Sequence, residues 1–304
     1  MGRKFKEYFI EKQWVKVFYK SYGNDFTEVV NIILPGWSTN ELSFVLEELA
    51  VSYFEHSKNT AVTLCVELED YKENIEVEIE ALVMFINEMS INAFYLIGYS
   101  QGGTKALYLS RILNEKQKGL ILIAPTSLYN INPIRFIFDF LLEVLILINL
   151  YAIKEVIKTK SLKPINVYLG AGMEVIKNIP RVVYKLKLRS IYKYIYDIKY
   201  MSMKAPEIDL IICPIILILG IEDMISQTKK IMSLKVGEEI IKRILESKDE
   251  LVLIPEEETY LQKRIFNSSK KIIFLSPKRA AHHLLPIFYA EYVAKISTEY
   301  TQTL

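Results

Sequence analysis

The chain has 304 residues, enough for one large α/β domain or two small ones. Hydrophobic residues make up 51% of it and charged residues 24%, which excludes an intrinsically disordered chain. Thirty-eight basic against 36 acidic residues leave a formal charge of only +2, too little for a whole-chain nucleic-acid binder. Two cysteines, Cys65 and Cys213, exclude a disulfide scaffold and a cysteine-rich zinc site. Three histidines (His56, His282 and His283) leave few ways to build a histidine metal centre.

At the N-terminus, Met1–Glu7 is basic but lacks an apolar stretch of signal-peptide length. Lys6 stands where a myristoylation motif beginning at Gly2 would need Ser or Thr. Lys6–Tyr19 is expected to add antiparallel edge strands. Beyond it, apolar runs of strand length recur: Val29–Leu34 (VVNIIL), Ala61–Leu68 (AVTLCVEL), Ala93–Ile97 (AFYLI), Leu120–Ala124 (LILIA) and Ile211–Leu219 (IICPIILIL). Such near-continuous apolar runs fit strands buried on both faces of a mostly parallel sheet. Between them Asn40–His56, Ile75–Met89 and Gln101–Gln117 carry apolar residues three and four apart, the spacing of crossover helices. Glu76, Glu78 and Glu80 crowd the first half of the second, where they suit the positive end of a helix dipole. This alternation predicts a doubly wound open sheet.

The alternation stops between about Thr126 and Ala205 and resumes at Ile211. An insertion within one sheet explains that better than a second sequential domain. The expected division is a core of residues 1–125 and 206–304 with a helical insertion at 126–205. Within it, Ile134–Ile153 is the greasiest stretch, but Arg135, Asp139 and Glu143 interrupt it. Its uncharged part, Val144–Ile153, falls short of the roughly 20 residues a spanning helix needs. A cytoplasmic location is the expectation. Ser226–Ser269 holds two helix-like stretches around a short LVLI run, and Lys271–Leu275 reads as the last strand.

The sharpest motif is Gly98-Tyr99-Ser100-Gln101-Gly102-Gly103, a G-x-S-x-G that follows the AFYLI strand and opens a helix. A serine on so tight a turn projects its hydroxyl, and the helix N-terminus offers N–H groups to a developing oxyanion. Here the chain resembles the α/β-hydrolase superfamily, over nearly its whole length outside the insertion. The resemblance implies that fold, a serine nucleophile at Ser100, and the chain order nucleophile, acid, histidine. His56 precedes Ser100 and is a surface or packing residue. Of the two later histidines, His282 is favoured as the base and His283 is the alternative. Counting from His282 places Tyr289-Ala290-Glu291-Tyr292 where the family begins a helix, and Ala280-Ala281 supply the small residues before the base. Gly220-Ile221-Glu222-Asp223 matches the family's Gly-x-x-Asp, which makes Asp223 the acid and Glu222 its rival. Leu34-Pro35-Gly36-Trp37-Ser38 resembles the family's oxyanion loop, with Pro35 replacing its histidine. The N–H groups of Trp37 and Gln101 are then the expected oxyanion donors.

A serine nucleophile argues against the haloalkane dehalogenases and epoxide hydrolases of this superfamily, which attack with aspartate. Hydroxynitrile lyases and cofactor-free haloperoxidases share the triad and are not separated by it. No P-loop, dinucleotide fingerprint or metal-ligand spacing occurs, so neither a cofactor nor a metal is expected. The family implication is hydrolysis of a carboxylic ester or thioester with a mainly apolar acyl group. Gly36-Trp37 and Ala280-Ala281-His282 also resemble the pimeloyl-carrier-protein methyl esterases, and a non-catalytic binding protein of this fold is a third reading.

The insertion resembles the helical cap that this superfamily places over its active site. From Tyr151 to Lys204 it carries twelve basic and three acidic residues, a balance of +9 that leaves the rest of the chain at −7. A solvated outer face, an anionic membrane surface approached peripherally, and an acidic carrier protein or anionic substrate all fit that charge; nucleic acid fits least. Lys185, Lys187 and Arg189 alternate with apolar residues rather than clustering.

Overall fold

The structure, a computed structural model, describes residues 4–23, 26, 28–36, 46–68, 75–126, 138, 153, 157, 160, 211–220, 252–254, 271–276 and 290–303. The N-terminal segment folds as a hairpin of β1 (Lys4–Ile10) and β2 (Gln13–Tyr22), antiparallel with Lys4 opposite Tyr19 and Ile10 opposite Gln13. Its two-residue turn places both Glu11 (φ 45°) and Lys12 (φ 67°) in the left-handed region, the backbone that matches the right-handed twist of paired strands. Near the turn the two strands alternate in burial. Tyr8, Ile10, Val15 and Val17 are buried, while Phe5, Phe9 and Trp14 face outward and are exposed.

The remaining strands are β3 (Val29–Leu34), β4 (Thr60–Leu68), β5 (Ala93–Tyr99), β6 (Gln117–Ile123), β7 (Ile215–Gly220), β8 (Val252–Ile254) and β9 (Lys271–Ser276). They join the hairpin in one nine-stranded sheet of order β1-β2-β4-β3-β5-β6-β7-β9-β8. From β4 to β9 every pairing is parallel; the β1–β2, β2–β4 and β8–β9 pairings at the two ends are antiparallel. The expected mostly parallel, doubly wound sheet is therefore present.

Four helices are described: α1 (Glu47–Ser57), α2 (Ile75–Glu88), α3 (Gln101–Ile112) and α4 (Ala290–Thr303). They divide between the two faces because successive strand residues point opposite ways. Ile32, Leu96, Leu122 and Leu217 pack with Val77, Phe85 and Leu107 of α2 and α3. Their neighbours Ile33, Ile97, Ile121 and Ile218 pack with Leu49 and Tyr53 of α1 and Val293 of α4. The buried Tyr53 hydroxyl donates to Ser297 Oγ at 2.9 Å and so ties α1 to the C-terminal helix.

Two boundaries differ most from the sequence reading. α3 stops at Ile112 instead of continuing to Gln117, because Gln117–Gly119 pair with β5 and begin β6. Leu113 extends the helical apolar spacing, so periodicity alone could not see the switch. β7 starts at Ile215 and not at Ile211, since Pro214 has no N–H to give a ladder; its carbonyl instead accepts Leu120 N–H at 2.8 Å. The LVLI run supplies β8, an edge strand antiparallel to β9.

Glu78 also departs from a simple helix-dipole role. It is buried, and its carboxylate lies 2.5 Å from the ammonium of Lys105, buried on the facing side of α3. An ion pair this far from water is held by mutual compensation: either charge alone would be stranded.

Candidate active site

Ser100 stands between β5 and α3 with no intervening loop. Its backbone has φ 55° and ψ −121°, a left-handed φ that a residue with a side chain adopts at a cost of about 1–3 kcal/mol. The surroundings hold it there. Ser100 N–H donates to the Ile123 carbonyl at 3.0 Å, and its own carbonyl accepts from Gly103 N–H at 3.0 Å and Thr126 N–H at 3.3 Å. The end of β6 thus clamps both sides of the Ser100 peptide. Ala124, also at positive φ, turns that segment and donates to the Ile218 carbonyl of β7 at 2.8 Å.

Glycine is required here by close approach. A Cβ on Gly98 would lie 2.6 Å from the Gly102 carbonyl oxygen, and one on Gly102 would overlap the carbonyl oxygens of Leu34 and Pro35. Strand, helix and the end of β3 therefore touch through bare backbone. Gly36 comes closest to the serine itself: a Cβ added there would stand 2.9 Å from Ser100 Cβ and 3.3 Å from its Oγ. The segment leaving β3 thus runs directly beside the hydroxyl. Ser100 is partly exposed, flanked by buried Tyr99 and Gln101.

Of the residues singled out in the sequence, Ser100 and Gln101 are described, at the N-terminus of α3. His56 lies in the last turn of α1, half-buried. Trp37, Glu222, Asp223, His282 and His283 lie outside the described residues. So does nearly all of 126–205, where Phe138, Ile153 and Ile157 are described and exposed. The strands before these residues are informative. β5, β6, β7 and β9 are consecutive parallel neighbours, so their carboxyl ends share one edge of the sheet. The chain leaves β7 at Gly220, three residues before Asp223, and β9 at Ser276, six before His282, both on the edge that carries Ser100. β6 and β7 are direct neighbours although they are separated in sequence by the segment that includes the expected cap.

Sequence reasoning missed two supports of the serine. The clamp from Thr126 had no local signature. The buried Lys105–Glu78 pair, one turn into the serine's own helix, was not foreseen: Glu78 read only as a partner of its helix dipole, and Lys105 was not singled out.

No family model and no curated protein matches the chain. Solved structures do. An esterase from Thermogutta terrifontis aligns over 99% of this chain and 98% of its own, with TM-score 0.54 and 13% identity. A serine hydrolase from Cycloclasticus zankles aligns over 99% and 98%, with TM-score 0.58 and 11% identity. The chain has the α/β-hydrolase fold. An epoxide hydrolase from Vigna radiata shares the fold equally well, at TM-score 0.57 and 14% identity over 99% of this chain and 98% of its own. Likeness at such identities speaks to the fold. Among the described residues no helix is long and apolar enough to cross a membrane.

Proposed function

We propose that this chain is a serine hydrolase that cleaves a carboxylic ester or thioester of a mainly apolar acyl group. The observation that carries the reading is the strained backbone of Ser100, fixed between β5 and α3 with Gly36 against its hydroxyl. A serine held at φ 55° and ψ −121° is strained, and strain of this kind clusters at functional sites. The esterase and serine hydrolase among the fold neighbours point the same way.

In this reading the Ser100 hydroxyl attacks the acyl carbon while His282 takes its proton, with Asp223 orienting the imidazole and His283 as the alternative base. The carbonyl oxygen becomes an oxyanion held by the N–H groups of Trp37 and Gln101. As the tetrahedral centre collapses, the leaving alcohol or thiol departs with the proton from the histidine. Water then gives its proton to the same histidine and attacks the acyl-enzyme; the carboxylic acid leaves and Ser100 recovers its hydrogen. Residues 126–205 serve as the cap that selects the acyl group.

The test is covalent labelling with a fluorophosphonate, followed by hydrolysis of short-chain aryl esters. Labelling should occur at Ser100 and disappear in Ser100→Ala. Turnover should fall by about 10⁴ or more in Ser100→Ala and His282→Ala, with His283→Ala much milder. Failure of the intact protein to label would leave a binding protein as the better reading. A silent His282→Ala with an inactive His283→Ala would move the base by one position.

A further inference from the structure

We propose that the outer edge of β1 pairs with itself: a second copy of this chain adds its own β1, antiparallel, about a two-fold axis at Glu7. This inference is independent of Ser100. β1 is the last strand of the sheet, and among the described residues no strand pairs with its outer edge. It is seven residues long and held straight from behind. Lys6 Nζ donates to Glu88 of α2 at 2.6 Å, and the Tyr8 hydroxyl donates to the same carboxylate at 2.7 Å. The hydrogen bond from Lys6 holds the Glu88 carboxyl below its usual range, so this anchor stays charged near neutrality. An edge tethered at two alternate residues offers an ordered row of backbone groups to a partner strand.

The side chains on the opposite face make that edge self-complementary. Phe5, Glu7 and Phe9 of β1 lie beside Phe18, Lys16 and Trp14 of β2. Phe5–Phe18 rings are 5.6 Å apart, Phe9–Trp14 rings 5.2 Å, and Lys16 bonds Glu7 at 3.1 Å. Yet Phe5, Phe9 and Trp14 remain 53%, 61% and 49% exposed. Antiparallel pairing keeps residues on their own face only when opposed positions have the same parity. A dyad at Glu7 satisfies this and sets Phe5 opposite Phe9 of the second copy, twice. Each aromatic row then runs Trp14, Phe9, then Phe5 and Phe18 of the second copy, which buries the exposed rings against one another. On the tethered face Lys6 comes opposite Tyr8 of the second copy. The central row reads Lys16, Glu7, Glu7, Lys16, so one like-charge contact lies on the axis with a lysine on either side. In-face registers with the dyad at Lys6 or Tyr8 set Phe5 or Phe9 against Glu7, and those with it at Phe5 or Phe9 keep one aromatic pair in place of two.

This arrangement makes an unusual forecast of sign. Sedimentation of the full chain over a concentration series should show a monomer–dimer equilibrium, and Glu7→Gln should tighten it, about tenfold, by removing the repulsion on the axis. Phe9→Ser should weaken it by a similar factor with an unchanged circular-dichroism spectrum, since the side chain is mostly exposed in the monomer. Register is tested by cysteine. A residue on the dyad faces its own copy across roughly 4.5–5.5 Å between Cα atoms, within disulfide reach. Glu7→Cys should therefore oxidise to a covalent dimer, while Phe5→Cys and Phe9→Cys singly should not and the double variant should. Cys65 and Cys213 are buried and should not interfere. A chain that stays monomeric to about 100 µM with no crosslinking at Glu7→Cys overturns the proposal. So does a dimer indifferent to Phe9→Ser, or one crosslinked equally well from all three positions.

Discussion

Where α3 meets β5 and the end of β3, main-chain atoms lie against each other, and Gly98 and Gly102 leave no space for even a methyl group. Where the β1–β2 hairpin meets α2, contact is made by the ends of long side chains: Lys6 and Tyr8 reach across to Glu88. The first kind of contact fixes position to a few tenths of an ångström and tolerates nothing. The second can shift a rotamer and survive. Ser100 is found on the first kind.

The contrast can be broken most violently at Gly102. Gly102→Ala pushes a methyl into two backbone carbonyls that cannot rotate away, so a loss of about 4–5 kcal/mol is expected, read as a collapsed denaturant midpoint together with lost fluorophosphonate labelling. Next comes the buried pair behind the serine's helix. Lys105→Met strands the Glu78 carboxylate and should cost about 3–4 kcal/mol, whereas the double variant Lys105→Met/Glu78→Leu should recover most of it; chemical denaturation of the three proteins separates these outcomes. A double variant as weak as the single one would show that the charges themselves are needed.

A smaller effect concerns Cys213, whose thiol burial pushes up to about 12. Between its unfolded value near 9 and that figure, the native chain holds a proton that the unfolded chain has released, so stability must fall as pH rises through this window. From pH 8 to 10 the wild type should lose about 1 kcal/mol more than Cys213→Val, measured by urea titration at each pH. The smallest change is expected at the hairpin's tip. Lys12→Gly relieves a left-handed backbone worth about 1–2 kcal/mol but adds about 0.5–1 kcal/mol of unfolded-state freedom, for a net gain of about 0.5 kcal/mol in thermal unfolding. A loss there would mean that the turn is held by more than its own torsions.

The features readable in advance were those written locally. VVNIIL and LILIA are buried on both faces and AFYLI nearly so, and a near-continuous apolar run bounded by turn formers has few other fates. The serine's turn was legible for the same reason: Gly98, Gly102 and the strand before them lie within a few residues of Ser100. What escaped was decided between distant segments. Nothing near Gln117 announces that it will pair with Phe94 instead of ending a helix, and nothing near Lys105 announces Glu78. Asp223 and His282 rest on motif spacing, and the sheet contributes the strand ends at Gly220 and Ser276 from which that spacing is counted.

The Tyr53–Ser297 hydrogen bond joins residues 244 positions apart, and α1 leans on α4 along its length. During synthesis the N-terminal third of the chain emerges well before that partner exists, at about 5–20 residues per second. For many seconds Leu49, Ala50 and Tyr53 must wait beside β3 and β4 with one flank wet, a state that invites capture by chaperones or by other nascent chains. Docking of α4 on α1 is thus a late step in the assembly of this sheet. A C-terminal fusion that delays its docking should raise the insoluble fraction far more than the same fusion placed ahead of β1.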